Sequence, residues 1–552
     1  MDRPTRNPVP MLLGLALVAG FAMTLVLTKD MTFYQDTWAF LINRREVSVE
    51  NLFHPHNEHV VVFPVLIEMV LLRVFGMTSA LPEYILLAVF LAVTAGLLYV
   101  YVQRRVGSWL ALFATVLVLC VGPAFEVLLW PFEITFIGPL LFGIAMLLAL
   151  ERKDRLGDIA ACAFLVLAIG FSGLGICFIA GAVVAVLQGP RQTWLARAYI
   201  FLIPLFLYAA WWVGWGHDAE SHISVYNILS SPRFALESVA FALGSLLGLH
   251  PKFGSTAVPE PGWGRPLLVG LVAVLGYMQY RFRRAINPAL WPVLAAAVAN
   301  WLLTGFNAFP GRDPSASRYQ YAGAIFLLMI LANLFTGVRP GRKTLIAGAV
   351  VTALAVGPNL VYLNDGRQFL NPQSVLTRAD TAAIEIAQDT VAPDFELTEE
   401  VAGTPSLVNV YAEPYLEAVE EYGSPAYTEA ELEDAPELGR AQADIVLAHA
   451  LGMSTSTDAG AYTGSGPGCK PLPTGEAAAG GVRLAPGVTR IELAPGPAGD
   501  FALRRFAQES FPVGTSGAPG DSVTELRIPT DRSDKPWHLQ VTAEQAAYVC
   551  LA

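Results

Sequence analysis

The stretch VPMLLGLALVAGFAMTLVLT (9–28) contains no charged side chain and no histidine. A helix of this length covers the ~30 Å hydrocarbon core of a membrane at about 1.5 Å per residue. Ten more long apolar stretches precede residue 364, with no Asp, Glu, Lys, Arg or His in their interiors. We therefore predict about eleven transmembrane helices, near residues 9–28, 83–102, 108–126, 133–150, 158–172, 173–188, 197–215, 265–280, 286–306, 319–337 and 344–363. The first stretch lacks a good cleavage site, so we expect it to remain as an anchor.

The basic clusters predict the orientation of these helices. They lie at Arg3/Arg6, Arg104/Arg105, Arg152/Lys153/Arg155, Arg191/Arg197, Arg281/Arg283/Arg284 and Arg339/Arg342/Lys343. All six fall on one side only if the apolar runs 60–76 and 234–249 do not cross, and the positive-inside rule makes that side cytoplasmic. We therefore interpret both runs as interfacial or re-entrant helices, with crossing by one or both as the alternative.

Eleven crossings from a cytoplasmic N-terminus place residues 364–552 outside the plasma membrane of a bacterium. This tail holds 28 acidic and 11 basic residues, against 18 and 24 in residues 1–363. Such acidity argues against nucleic acid or anionic lipid as a partner of the tail. Only Cys469 and Cys550 lie outside the predicted spans, so we expect a disulfide between them.

The pattern of the tail changes along its length. Apolar residues at three- and four-residue spacing predict helices over 374–452, whereas from about residue 462 short alternating runs between Gly and Pro predict a small antiparallel β-sandwich. The segment 454–481 is the best linker candidate. The expected domains are a transmembrane domain (1–363), an exoplasmic helical region (364–461) and the sandwich (462–552), which is either a carbohydrate-binding module or a structural cap.

The long loop between the first two spans carries two polar motifs. In YQDTW (34–38), Asp36 follows the first span by about eight residues, between Tyr34 and Trp38. A carboxylate there can act as general base toward a sugar hydroxyl, with the aromatic faces stacking the ring. The alternative is a solvated acid in an interfacial aromatic belt.

In HPHNEH (54–59), four side chains that bind metals or hydrogen-bond lie within six residues: His54, His56, Glu58 and His59. The motif matches no established zinc spacing, so we assign no metal and regard a divalent metal as the weaker option. Contacts to an acceptor sugar or a lipid phosphate are favoured, with a polar cap on the next helix as the structural alternative.

Arg318 in SRYQY (317–321) begins the tenth predicted span at the outer face, where the positive-inside rule disfavours it. Its guanidinium can bind a phosphate through two hydrogen bonds, with Tyr319 beside it. An arginine that snorkels to the interface is the alternative. Weaker candidates are His250 and Lys252, Arg312 and Asp313, and Glu126 and Glu133.

This layout resembles the polyprenyl-phosphate-sugar glycosyltransferases of the GT-C class. The resemblance rests on a long first outer loop with Asp36 soon after the first span, interfacial helices in that loop, many spans, Arg318 as a lipid-phosphate ligand, and a C-terminal exoplasmic domain. It is similar to actinobacterial cell-envelope enzymes, including arabinofuranosyl and mannosyl transferases. The lone Asp in YQDTW departs from the paired acidic motif frequent in several of them.

The resemblance implies an α-helical polytopic membrane protein that transfers a sugar from a polyprenyl phosphate to a glycan or glycolipid acceptor, with inversion. Membrane lipids are then expected partners, and nucleic acid is not. No Gly-rich phosphate loop or Rossmann fingerprint is present, as expected if the sugar arrives on a lipid. Two other classes stay open: a lipid-glycan flippase or transporter, for which FSGLG (171–175) hints at a broken helix, and a non-catalytic glycan-binding scaffold.

Overall fold

The computed structural model describes residues 8–251, 261–283, 285–397, 407, 410–459, 469–472, 481–493, 499–516, 522–542 and 547–551. The chain forms two units. The first comprises Met1–Asp30, Glu46–Leu71 and Leu81–Phe369, and the second comprises Met31–Arg45, Leu72–Ala80 and Leu370–Ala552.

The first unit is built from helices, and the second combines helices with strands. The helices, in chain order, are α1 (Val9–Leu27), α2 (Asp36–Asn43), α3 (Val49–Phe53), α4 (Val62–Phe75), α5 (Leu81–Val106), α6 (Ser108–Leu119), α7 (Phe125–Leu129), α8 (Ile134–Leu150), α9 (Arg155–Phe171), α10 (Cys177–Leu187), α11 (Trp194–Arg197), α12 (Tyr199–Gly214), α13 (Val225–Leu246), α14 (Gly264–Phe282), α15 (Leu290–Phe306), α16 (Ser317–Leu334), α17 (Arg342–Ile386), α18 (Ala412–Tyr422), α19 (Glu429–Asp434) and α20 (Glu437–Ala450).

Several of these helices are long and apolar enough to cross a membrane, so the chain is a membrane protein. Five helices of the described residues qualify: Val9–Leu27, Leu81–Val106, Pro131–Leu150, Arg191–Gly214 and Arg342–Ile386. The pair α6 and α7 adds a sixth if its 50° bend lies within one span. Shorter apolar helices lie at Gly173–Leu187 and Leu290–Phe306.

The predicted count of eleven spans is therefore not confirmed, although every predicted segment is helical. The segments that do not qualify are too short or too polar. The 17 residues of α9 rise only about 25 Å, and α14 carries Arg265 and Arg281. The runs 60–76 and 234–249 correspond to α4 and the end of α13, and neither is among the qualifying helices.

The bend between α6 and α7 has an identifiable cause. Pro123 lacks a backbone N–H, and the N–H of Gly122 donates instead to Oδ1 of Asn359 at 3.0 Å. The amide nitrogen of Asn359 donates in turn to the carbonyls of Ser245 and Ala355. A Cβ at Gly122 would lie 2.0 Å from the Asn359 carbonyl oxygen, so only glycine fits there.

The first unit also buries a pair of carboxyl groups that the sequence analysis did not anticipate. Glu68 of α4 and Glu83 in the first turn of α5 are both buried, and their side chains are hydrogen-bonded to each other. Both side chains are therefore shielded from solvent.

The second unit contains α2, the end of α17, the helices α18 to α20 and two antiparallel sheets. Its strands are β1 (Ser454–Ala459), β2 (Cys469–Leu472), β3 (Val482–Leu484), β4 (Gly487–Leu493), β5 (Gly499–Arg504), β6 (Phe511–Ser516), β7 (Ser522–Ile528), β8 (Trp537–Thr542) and β9 (Ala547–Leu551). The strand orders are β1-β7-β4-β9-β2 and β3-β8-β5-β6. The predicted antiparallel sheet region is thus present.

The sheet region begins earlier than the sequence predicted. Strands β1 and β2 lie within 454–481, so the described parts of this segment are not a linker: pairing with β7 and β9 satisfies their backbone groups. Both sheets bury alternating side chains, including Ile491 and Leu526 of the first and Phe501 and Leu539 of the second.

Two side-chain interactions hold the second unit together. The buried carboxylate of Asp444 in α20 accepts the backbone N–H groups of Arg505, Phe506 and Ala507 at 2.7 to 3.1 Å. Cys469 and Cys550 lie opposite each other on β2 and β9 and form a disulfide, which confirms the predicted pairing. Asp444 thus joins a helix of the tail to its sheet region, and the disulfide joins two strands of one sheet.

The predicted sidedness can be tested with single cysteines at exposed positions. Gln103 precedes the turn between α5 and α6, and Glu420 lies on α18. In a background without Cys120, Cys162 and Cys177, Glu420→Cys should react with a membrane-impermeant maleimide in intact cells. Gln103→Cys should react only after permeabilisation. Reaction of both positions from outside would contradict the predicted orientation.

Candidate functional site

The HPHNEH segment is positioned by the short helix before it, α3. Ser48 caps α3 by accepting the N–H of Asn51 at 3.0 Å. At the other end, the indole N–H of Trp211 donates to the carbonyl of Phe53 at 2.7 Å, and the Phe53 ring stacks on Trp215 with centroids 5.0 Å apart. Aromatic residues at the end of α12 thus fix where the segment begins.

The segment itself forms a tight turn. The backbone groups of His56 and His59 exchange two hydrogen bonds, of 3.0 and 2.9 Å. Asn57 adopts φ 50°, a left-handed conformation that asparagine tolerates better than most residues. The turn presents Glu58 at its tip, half-buried, with His59 directly after it.

The carboxylate of Glu58 forms a hydrogen-bonded ion pair with Arg312. Nε2 of His59 lies 3.5 Å from Oε1 of Glu58, the same oxygen that Arg312 contacts. Burial alone would raise the pKa of Glu58, but His59 and Arg312 together hold that pKa below its ordinary value. Glu58 is therefore ionised at neutral pH and neutralises Arg312.

Arg312 belongs to a loop between α15 and α16 that buried hydrogen bonds shape. The side-chain amide of Asn227 donates to the carbonyls of His222 and Ala308, at 2.8 and 2.9 Å. Asp313 accepts the backbone N–H of Ser315 at 2.8 Å, so this weaker candidate forms a turn within the loop. The loop ends at Ser317, where α16 begins.

Arg318 lies in the first turn of α16. Its guanidinium donates to the carbonyl of Gly311 at 3.0 Å and lies 5.6 Å from the centroid of the Tyr319 ring. Glu126 of α7 receives the backbone N–H of Arg318, and its own N–H donates to the hydroxyl of Ser317 at 3.1 Å. Glu126 thus caps α16 and places a carboxylate beside the arginine.

His59 occupies the centre of this group of charges. It interacts electrostatically with Glu58, Arg312, His56 and Arg318. Burial is the main reason that the pKa of His59 falls to about 4; Glu58 acts to raise this pKa, and the two arginines act to lower it. The imidazole is therefore neutral at pH 7 and can donate one hydrogen bond and accept one.

Gly173 allows His59 to sit there. A Cβ on Gly173 would lie 2.9 Å from Nδ1 of His59. Gly173 begins a 3-10 turn between α9 and α10, within the FSGLG break that the sequence analysis had linked to a transporter. In this structure the break makes room for a side chain of the first outer loop.

The structure therefore brings together the second motif and the loop before α16. The group, which we call the outer cluster, is Glu58, His59, Arg312, Arg318, Tyr319, Glu126 and Glu133; Glu133 interacts electrostatically with Arg318. Of these, Arg312, Glu126 and Glu133 had been only weaker candidates. Their roles could not be read from spacing, because Arg312 lies 254 residues from Glu58, and Glu126 and Glu133 lie 192 and 185 residues from Arg318.

Two histidines of the motif lie apart from the outer cluster's arginines. His54 is exposed and its Nδ1 lies 3.2 Å from the carboxylate of Glu50, while the ring of His56 packs 5.2 Å from Phe132. Among the described residues, no three His, Cys, Asp or Glu side chains are grouped to hold a metal ion. The four side chains of HPHNEH thus do not converge as a ligand set.

Asp36 lies in the second unit, as do Tyr34 and Trp38. It begins α2 and follows Gln35, whose φ of 44° is strained for a residue with a Cβ. The indole of Trp38 is fully buried, with edge contacts to Phe33 and Tyr415. Its placement is that of a core residue and does not support the predicted stacking on a sugar, whereas Asp36 and Tyr34 are half-buried.

His250 lies away from the outer cluster. Its ring packs against Phe241 and Tyr362, with centroids 5.6 and 5.3 Å away, and burial lowers its pKa to about 4. Lys252 lies outside the described residues. The structure thus gives His250 a packed aromatic environment rather than a place among the arginines.

The chain is similar to one solved structure, that of ArnT from Cupriavidus metallidurans bound to undecaprenyl phosphate. The two sequences are 15% identical, and the alignment covers 77% of this chain and 90% of that chain with a TM-score of 0.43. No protein-family model and no curated protein matches the chain.

The low pKa values of His59 and His250 predict a loss of stability in mild acid. In the unfolded chain both should titrate near 6.5, so as pH falls below 6.5 toward about 4 the unfolded state gains protons first. Each group can remove up to about 1.4 kcal/mol per pH unit. Melting temperatures should therefore fall from pH 7 to 5, and His59→Gln should weaken that dependence.

The exposed His54 provides the matched control for this measurement. His54→Gln should retain the pH dependence of the wild-type melting temperature. An unchanged dependence in His59→Gln would show that His59 is not buried in its neutral form.

Proposed function

We propose that the chain is an integral membrane glycosyltransferase. It would transfer a sugar from a polyprenyl-phosphate donor to a cell-envelope glycan or glycolipid acceptor at the outer membrane face, with inversion of the anomeric carbon. The observation that carries the proposal is the outer cluster, which holds two arginines, a neutral imidazole and carboxylates at the end of apolar helices. This combination suits a substrate that is a phosphate at one end and a hydroxylated sugar at the other.

Arg318 is the proposed ligand of the donor phosphate. Its position in the first turn of α16 places it where the helix dipole also favours an anion. One nitrogen of the Arg318 guanidinium donates to the carbonyl of Gly311. A guanidinium has five N–H donors, so others are available to a phosphate. Arg312 is already neutralised by Glu58 and would contribute less to binding.

The proposed reaction is a single displacement. A carboxylate takes the proton of an acceptor hydroxyl, the oxygen attacks the anomeric carbon, and the bond from that carbon to the phosphate oxygen breaks. The phosphate leaves with the bonding electron pair, and Arg318 stabilises the charge that grows on it. Atoms and charges balance in this displacement without a metal ion.

Asp36 is the proposed general base. Its support is its place at the start of α2 beside the strained backbone of Gln35, since such strain is found preferentially at functional sites. The carboxylates of the outer cluster are the other candidates: Glu58, which is ionised, and Glu126 and Glu133 beside Arg318. The variants below separate these two possibilities.

A lipid-glycan flippase or transporter is the rival function. The buried Glu68 and Glu83 are the kind of ionisable pair that ion-coupled transporters use. However, Glu83 lies in the first turn of α5, near one end of that span rather than at its middle. We therefore favour the transferase, and the proposal for the tail remains that it binds glycan or caps the enzyme.

The test is turnover of purified full-length protein with a panel of synthetic polyprenyl-phosphate sugars and glycan acceptors. Asp36→Asn keeps the size of the side chain and removes its basicity, so turnover should fall by about 10² or more while donor binding changes little. Arg318→Ala should weaken donor binding as well as turnover, because an arginine on the phosphate acts in the ground state and in the transition state.

Two exposed residues serve as matched controls. Asp218→Asn and Arg233→Ala remove the same charges from exposed positions away from the outer cluster and should leave both readouts near wild type. Near-normal turnover in Asp36→Asn would refute its role and make Glu58, Glu126 and Glu133 the next variants to measure. Absence of transfer with every donor, by protein that still moves lipid-linked glycan across vesicles, would favour the flippase.

A further inference from the structure

A second polar site lies at the opposite end of the first unit's helices. It is a cavity of about 1380 Å³, lined among others by Tyr101, Arg105, Glu151, Lys153, Arg155 and Arg197. The proposed function makes no use of it.

The direction of the helices places this cavity far from the outer cluster. Helix α8 begins next to Glu133 of the outer cluster and ends at Leu150, which lines the cavity. Likewise, Arg318 lies in the first turn of α16, and Thr336, which follows the end of that helix, lines the cavity. The basic clusters predict that this end of the helices is cytoplasmic.

Most charges in the cavity wall are paired with one another. Arg105 donates to Glu151 at 2.5 Å and to the side chain of Asn333 at 2.7 Å, and it lies 3.4 Å from the centroid of the Tyr101 ring. Arg197 makes two hydrogen bonds to Asp158, of 2.8 and 2.7 Å. Glu151 also accepts a hydrogen bond from Arg104 at 2.9 Å, and these pairs fix the shape of the wall.

Lys153 and Arg155 are different, because neither has an ion-pair partner within the described part of the chain. The neighbouring Asp154 binds Arg152, which does not line the cavity. Lys153 is held at φ 55° in the turn between α8 and α9, so its backbone conformation is set by the turn. The cavity thus has two exposed cations without an ion pair at its rim, because Asp154, which also lines the cavity and lies between them in sequence, is bound to Arg152.

The rest of the wall is largely apolar. Leu147, Leu150, Ile159 and Pro292 line it, and they belong to or adjoin helices α8, α9 and α15. A free phosphate would leave this apolar surface exposed to water, whereas a lipid would cover it with its glycerol backbone and chains. Basic pockets between membrane helices on the cytoplasmic side are typical sites for anionic lipid headgroups.

We propose that this cavity binds the phosphate headgroup of an anionic membrane lipid, with Lys153 and Arg155 as the phosphate ligands. The lipid would stabilise the cytoplasmic ends of the helices around it. Lipid binding at this cavity does not depend on the transfer reaction, so an experiment can contradict either proposal without contradicting the other.

Lipid binding can be measured by titrating purified full-length protein with dioleoyl phosphatidylglycerol in native mass spectrometry. The comparison arms are dioleoyl phosphatidylcholine and an excess of inorganic phosphate at matched ionic strength. Wild-type protein should prefer phosphatidylglycerol. The double variant Lys153→Ala/Arg155→Ala should bind it about 10-fold more weakly, or worse, because each basic residue near an anionic headgroup contributes on the order of 1 kcal/mol.

Two further variants make the result specific. The double variant Arg342→Ala/Lys343→Ala removes two exposed cations that do not line the cavity and should stay within about twofold of wild type. Ala185→Phe adds bulk to the cavity wall without changing charge and should weaken binding. Equal phosphatidylglycerol affinity in the double variant, or equal affinity for both lipids, would overturn the proposal. Displacement of the lipid by inorganic phosphate would also overturn it, and would indicate that the cavity is a site for free phosphate.

Discussion

The cost of placing charge in hydrocarbon organises the first unit. An ionisable side chain in the middle of a membrane span costs several kcal/mol, and the interiors of the long apolar helices contain none. In the eleven apolar stretches predicted from the sequence, charged residues are therefore confined to the ends. One end carries the outer cluster around Glu58 and Arg318, and the other carries the cavity around Lys153 and Arg155. Both sites follow from the same physical constraint.

Within the outer cluster, the ion pair between Glu58 and Arg312 joins two loops that are distant in sequence. The pair holds Arg312 against Glu58, and Arg318 is the arginine that we propose for the donor phosphate. The pair also keeps Glu58 ionised beside His59, whose imidazole stays neutral because it is buried. Gly173, in the break between α9 and α10, provides the space for that imidazole. The chemistry of the site therefore depends on a helix break as much as on its charged residues.

Local patterns in the sequence predicted much of this arrangement. Apolar periodicity located every helix that had been expected in the first unit. The disulfide was predictable because Cys469 and Cys550 are the two cysteines outside the predicted spans. The predicted number of spans is not confirmed, because composition does not show where a helix such as α6 bends. That bend depends on Gly122 and Asn359, which are far apart in the chain.

The sequence identified several residues of the site, but it did not show which of them pair with one another. Glu58, His59 and Arg318 stood out by type and place, whereas the roles of Arg312 and Glu126 arise only from tertiary pairing. The flanking pattern of YQDTW suggested that Trp38 faces a ligand, yet its indole is buried because α2 packs it against Tyr415. An aromatic residue next to a carboxylate fits a core and a sugar site equally well, and periodicity over five residues cannot separate the two.

The central claim is that the outer cluster receives the phosphate of a lipid-linked donor. The most direct test is a cryo-electron-microscopy map of the full-length protein with added polyprenyl phosphate. The account predicts phosphate density in contact with the Arg318 guanidinium at the start of α16, with the prenyl chain along the apolar helices. A map with bound polyprenyl chain but with its phosphate away from Arg318 would contradict the account.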